Sequence, residues 1–404
     1  MAVITISNTG GNYNAVGTWV GGVVPTSADD VVATATSGQL TVNVASAARS
    51  FNFTNYTNTL TMSNAWTVNG ASLTNTFVSG MTIIGSGLIS MTGNNQTIVT
   101  NGLTIPNMIW SNAKTLGDDL NITNWTSNSL TITGTRNINV SGNCLMGNIN
   151  AVIGPNITLN IIGTGNYTGG NTSFLAIIFN TTGTITFTDT QGIGISISGV
   201  APTTQTIQYI QGTLAGARRI RATMNSNNNT LVLDLGSSTW TELNYQIASG
   251  VVTDIVNLSL TSNLNVGLFN IWGNTVSRIL RISGSGRIIA TTIQSMPWTY
   301  NSVGNIIRNF PNIQLGSSAT HSASIINFSG ADDTTNRMIL SSQTASTPGY
   351  LACSGTHSIQ NATITDIDAT GGPLSVWRSS LTRTTAITNY TNFGGGGGSF
   401  TFVN

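Results

Sequence analysis

Carboxylates are where chemistry would be sought first, and this chain has few. Glu242 is its only glutamate, and 13 Lys and Arg nearly balance 12 Asp and Glu for a net charge of +1. Glycoside hydrolysis takes two carboxyl groups facing each other across a sugar, one of them held protonated. Here that pair would be built mostly from aspartates. "TDIDA" sets Asp366 and Asp368 two apart, on one face if the segment is a strand, and "GADDTT" supplies Asp332 and Asp333. The first pair could hydrolyse a glycan or bind a cation, but aspartates ahead of "ATGG" also read as turn caps. The adjacent pairs at 29–30, 118–119 and 332–333 lie beside Gly- or Ala-rich turns, where a carboxylate accepts from local backbone N–H groups. Turn chemistry is the expectation for each.

His321 and His357 are the two imidazoles, and neither sits near a nucleophile signature, an acidic motif or a second His at ligand spacing. Ordinary polar positions are expected. Cys144 and Cys353 are far apart in strand-like text with no zinc spacing, and read as buried free thiols. "GGGGG" at 394–398 lacks the Lys-Ser/Thr of a phosphate loop and precedes strand-like "SFTFV", so it reads as a hinge or a close-packed glycine turn. No cofactor or metal is implied by these patterns, and no catalytic residue is assigned.

Binding is better served. "GARRIRA" holds Arg218, Arg219 and Arg221, the densest positive charge in the chain, with two guanidinium groups on one strand face and one on the other. They could pair with carboxylates of a neighbouring protein or with acidic sugars. A solvated strand face is the plain alternative. "SMPWTY" puts Trp298 and Tyr300 on one face after a proline, and "VWRSS" puts Trp377 beside Arg378. Flat sugars stack on such rings, whereas Trp66, Trp110 and Trp125 read as core.

These side chains need a scaffold, and composition narrows it. Charged residues are 6% against roughly 25% in an average domain. Asn, Thr, Ser and Gly must therefore cover the surface. Hydrophobic residues are 39%, too many for a disordered chain. A net charge of +1 recruits neither nucleic acid nor an anionic membrane, and no apolar run reaches the ~20 residues of a membrane-crossing helix. The Asn-x-Ser/Thr triplets follow from the abundance of Asn and Thr.

Apolar and polar residues alternate in "LTIT" at 130, "ITLNII" at 157, "TITFTDT" at 184, "GISISG" at 194 and "LSLTSNLNV" at 258. Short strands separated by Gly, Asn and Ser clusters are expected, with no helix. The pattern recurs at intervals on the order of 20 residues, the low end of known repeats. The expected fold is all-β, a right-handed parallel β-helix (solenoid) with a β-rich C-terminal region; a β-sandwich array is the alternative. A sandwich would guard its edges with charge, yet Lys114 is the only lysine. The expected divisions are an N-terminal strand segment at 1–14, a β-helix body at 15–310, a C-terminal region at 311–393 and a glycine hinge with terminal strand at 394–404.

A resemblance points the same way. "GTWVGGVVPTSADDVVATATSGQLTVNVASAARSFNF" resembles the opening segment of right-handed parallel β-helix proteins, and "NMIWSNAKTLGDDLNITN" is similar to their rungs. "MILSSQTASTPGYLACSGTHSIQNATITDIDATGGPLSVWRSS" resembles the last third of fibre and appendage proteins of bacterial viruses. No Lys or Arg precedes Arg49, so the start lacks the look of an export signal. The expectation is a bacteriophage virion protein, made in the host cytoplasm and released by lysis. Its expected role is a fibre- or spike-type appendage in host attachment, with a capsid decoration protein and a polysaccharide depolymerase tailspike as alternatives. Expected partners are two further copies in a homotrimer, other virion proteins and a host surface glycan, with no nucleic acid and no membrane insertion.

Overall fold

Alternation in the text becomes alternation of burial. In the strand Leu120–Asn128, Leu120, Ile122, Trp125 and Ser127 are buried while Asn121 and Thr126 are not. Thr123 and Asn124 both turn outward, so the pattern slips by one and the strand changes direction. Its first part pairs with Arg136–Val140 and its second with Cys144–Met146. Long strands that serve two partners in this way link neighbouring ladders.

A computed structural model describes residues 1–383 and 400–402, apart from 129–130, 147–151, 170, 189–191, 198–203, 225–228, 248–254, 274–278, 303–304, 310–311, 317–318, 330–337, 345–346, 348, 356, 361, 371–375 and 378–379. The chain forms two units: Met1–Asp189 with Gln211–Gly216, and Thr190–Ile210 with Ala217–Asn404.

In the first unit the chain visits three sheets in rotation. Asp30–Val32, Leu40–Val42 and Ser46–Ala48 are followed by Ser50–Asn52, Thr59–Met62 and Trp66–Val68, then by Thr74–Thr76, Thr82–Ile84 and Ile89–Met91. Each of the first six pairs in parallel with the strand three places on. Leu40 thus lies beside Leu60 and Trp66 beside Ile89, a circuit of about 20 residues and within the range of repeat architectures. Backbone groups are satisfied by the next circuit, so charged edge guards are not needed along the way.

Ahead of these strands, Val3–Thr5 and Gly11–Asn12 pair in parallel with Asp30–Val32 and Leu40–Val42, and the chain between and after them folds back locally. Ile6 bridges Trp19 in antiparallel fashion, with Ser7 N donating to Thr18 O and Val20 N to Thr5 O. Trp19 is buried, donates through Nε1 to Tyr13 O at 2.8 Å, and meets the Tyr13 ring edge-on at 5.0 Å. Beneath it Phe51, Phe53, Tyr56, Trp66 and Phe77 form one buried aromatic group, Phe51 and Phe77 being 4.5 Å apart. Further on, Trp110 and Trp125 meet edge-on at 5.3 Å.

The second unit repeats the parallel scheme. One series runs Ile193–Ile197, Arg219–Met224, Thr239–Ile247, Leu264–Gly273, Ile288–Ser302 and Thr320–Ser329. Another runs Thr230–Asp234, Ile255–Leu260, Ile279–Ser283, Asn312–Leu315, Met338–Ser342, Ala362–Thr365 and Ser380–Arg383. Pairing continues on both sides of residue 310, with Leu280 beside Ile313 and Leu340 beside Ile364. The terminal strand Phe400–Phe402 adds in parallel to Ser380–Arg383. Ile288–Ser302 also pairs with Asn305–Asn309 in the one antiparallel ladder among the described residues. The molecule is therefore all-β and dominated by parallel pairing, which is not the antiparallel scheme of a sandwich. The described helical structure is a single 3-10 turn, Val16–Thr18, and no described helix is long and apolar enough to cross a membrane.

The Asn- and Thr-rich composition finds a use between circuits. Asn160 Nδ2 donates to Asn139 Oδ1 and Asn139 Nδ2 to Asn121 Oδ1, each at 2.8 Å, and Thr115 and Thr133 share a hydroxyl contact at 2.8 Å. Lys114, by contrast, is inside. Its side chain is 1% exposed, and Nζ donates to the backbone oxygens of Gly93, Ser111, Asn112 and Ala113. Burial lowers its pKa to about 8.

Candidate functional site

Four neighbouring strands of the second unit place the arginine cluster. Ile220, Ala222, Met224, Leu243, Tyr245, Phe269, Ile271 and Ile293 all point inward and are buried. The residues between them must face outward, and parallel register stacks them in columns. Arg219, Glu242, Leu268 and Thr292 form one column; Arg221, Asn244, Asn270 and Gln294 the next; Thr223, Gln246 and Trp272 the third.

Charge and amide groups on this face are sorted by hydrogen bonding. Arg219 Nε meets Glu242 Oε2 at 3.0 Å. The other carboxylate oxygen accepts from Asn244 Nδ2 at 2.8 Å and Asn270 Nδ2 at 3.1 Å. Asn270 Nδ2 also reaches Asn244 Oδ1 at 2.7 Å, and Gln294 Nε2 donates to Asn270 Oδ1 at 2.6 Å. Both oxygens of Glu242 are thus engaged by donors on its own face. Beside this network an open groove with about 160 Å³ of space is lined by Arg221, Thr223, Asn244, Gln246 and Trp272. Arg221 is exposed and Trp272 half-buried.

Of the expected binding residues, Arg218, Arg219 and Arg221 come together here. Arg219 and Arg221 share the outer face; Arg218 precedes the strand, and its backbone oxygen accepts from Thr241 N and Oγ1, both at 2.8 Å. Its Nε is buried with no hydrogen-bond partner, and the residue lines a second depression with Thr239, Thr241 and Asn265. Trp298 and Tyr300 occupy alternate positions of the antiparallel ladder, opposite Asn309 and Ile307, and Trp377 lies opposite Gln360. Their side chains, and Arg378 altogether, lie outside the described residues. Trp272, Asn244 and Gln246 were not singled out from sequence. Their signal was the register that sets them beside Arg221, and register is not written in any one segment.

The acids have structural partners. Asp366 does not share a strand face with Asp368: it takes φ 52° at a bend between Ala362–Thr365 and Ile367–Thr370, which breaks the alternation, and it is buried. Side chains of Asp368 and His357, and residues 332–333, lie outside the described residues. Asp29 accepts from Thr26 and from Ala2 N, bonds that lower its pKa. Burial alone would raise Asp30, but hydrogen bonds from Arg49 and Ser50 outweigh it and hold the group below the ordinary carboxylate range. Asp118 accepts from Thr100 N at 2.9 Å, and Asp119 from Asn137 N at 2.9 Å. His321 is buried, accepts at Nδ1 from Ile288 N at 3.1 Å, and is lowered by burial to about 4. Cys144 and Cys353 are buried thiols, and Cys353 Sγ lies 3.5 Å from Ser324 O. No group of three or more His, Cys, Asp or Glu able to hold a metal occurs among the described residues.

Comparison with protein-family models, with curated proteins and with solved structures finds no match for this chain.

Proposed function

We propose that this is a non-enzymatic structural protein of a bacteriophage virion, a fibre- or spike-type appendage whose units are right-handed parallel β-helices. What carries the reading is the three-sheet rotation of the first unit, in which each circuit is the template for the next and side-chain ladders of Asn and Thr replace surface charge. Such a body resists local opening because each circuit is held by two others. It presents amides and hydroxyls outward, groups suited to repeated contact with sugars or with further copies of the chain. A homotrimer fits the same facts, since faces poor in charge can be buried against two symmetry mates. The carboxylates of Asp29, Asp30, Asp118, Asp119, Asp234 and Glu242 support binding over hydrolysis, being engaged by local backbone, by Arg49, by Gln208 or by Arg219.

Cryo-electron microscopy of the intact particle tests the assignment. Density for three copies at a tail or fibre is expected. A broad, lattice-wide contact with the shell would make the chain a decoration protein instead, and absence from the particle would sink the virion reading. Adding purified protein to host exopolysaccharide separates binder from depolymerase: the polymer should keep its length.

A further inference from the structure

We infer that the groove of Arg221, Asn244, Gln246 and Trp272 is a subsite for a sugar ring bearing a carboxylate, a uronate. This deepens the attachment reading above and rests on it. The patch holds one carboxylate, Glu242, and its oxygens are taken by Arg219, Asn244 and Asn270. Arg221 stands on the same face one column along, exposed and with no carboxylate partner among the described residues. The face therefore carries an uncompensated guanidinium, held on a strand whose alternate residues are locked in the core. A planar fork of N–H donors matches a carboxylate in two parallel hydrogen bonds.

The rest of the lining selects what carries that carboxylate. Trp272 offers a flat apolar ring to the same groove, placed there by its register beside Gln246. Gln246 has both an acceptor and two donors, and its described contact is a long 3.5 Å approach from Thr223 Oγ1. Asn244 is already oriented by Glu242 and Asn270, so it need not be ordered on binding. Ring face, amides and cation in one groove suit a pyranose with hydroxyls and one acid group. A bare anion would use Arg221 alone, and a neutral sugar would leave it unpaired.

The test is isothermal titration calorimetry of the full chain with hexagalacturonate and with a hyaluronan hexasaccharide, against maltohexaose and acetate. At least one uronate oligomer should bind, at least about tenfold tighter than maltohexaose, with acetate showing no saturable binding; tenfold corresponds to about 1.4 kcal/mol. Arg221→Gln should weaken it by about tenfold or more, the loss of one charge-assisted contact. Trp272→Ala should do likewise while Trp272→Phe retains most binding, which guards against a folding defect; circular dichroism and melting confirm each fold. Arg136→Gln removes the same charge from the first unit and should bind as the parent does. Equal binding of maltohexaose, unaltered binding by Arg221→Gln, an equal loss in Arg136→Gln, or no binding of either uronate overturns the inference. Because particle composition is read separately, a chain found in the virion without uronate binding sinks this site alone.

Discussion

His321 uses its imidazole as an acceptor. Ile288 N donates to Nδ1 in a buried setting, and burial depresses the folded pKa to about 4 from 6.5. Between those values the unfolded chain binds a proton that the folded chain does not, so stability falls as pH drops from 6.5 toward 4, by about 3 kcal/mol at most. His321→Asn, which keeps an acceptor but cannot titrate, should flatten that part of the pH–melting curve. Lys114 acts at the other end of the scale. Its folded pKa of about 8 against 10.5 means that the unfolded chain holds the extra proton between the two, and stability rises with pH across that window. Lys114→Met strands four carbonyl oxygens; a loss of about 1–3 kcal/mol at neutral pH is expected in chemical denaturation, with the gap to the parent widening above pH 8. Neither role could be read from the residue in isolation. Lys114 is the chain's only lysine, and only the fold brings Gly93 O to within 2.8 Å of its ammonium. The arginine cluster was legible because it is contiguous in sequence. Its tryptophan was not, because Trp272 reaches Arg221 across one intervening strand, Thr239–Ile247.

At the scale of the element, period-2 text was enough to give strands, since burial follows it nearly residue by residue. What it could not give was the bend. Thr123 and Asn124 in Leu120–Asn128 are both polar and both outward, and in sequence such a doublet looks like noise. Corners also rest on glycines that differ in kind. A Cβ on Gly38 would lie 2.4 Å from Gly10 N and from Thr9 C, backbone atoms of the preceding circuit that cannot move aside. Gly102 has open space around it but takes φ +82°. Gly38→Ala should therefore cost about 2–4 kcal/mol, and Gly102→Ala only the roughly 1–2 kcal/mol of a left-handed backbone. Urea titration of the two variants gives the order; a reversal would mean that the circuits are not held that close.

For the whole molecule, the first circuit is covered by Trp19 and Tyr13, and the last described strand, Phe400–Phe402, closes a sequence of additions at the other end of the chain. Deleting 394–404 bares the edge of Ser380–Arg383, so the truncated protein should melt lower or aggregate; unchanged melting would show that the terminal strand contributes nothing. The two cysteines extend this to dynamics. Cys144 belongs to the first unit and is fully buried, its thiol pushed upward by burial, and Cys353, 8% exposed, belongs to the second. An alkylating agent reaches either sulfur only when its surroundings open. Each unit thus carries its own clock. Iodoacetamide labelling of the native protein, with the two peptides followed separately by mass spectrometry, should be slow at both sites and slower at Cys144. The ratio of the two rates would give the relative frequency with which each half of the chain breathes, without a single engineered probe.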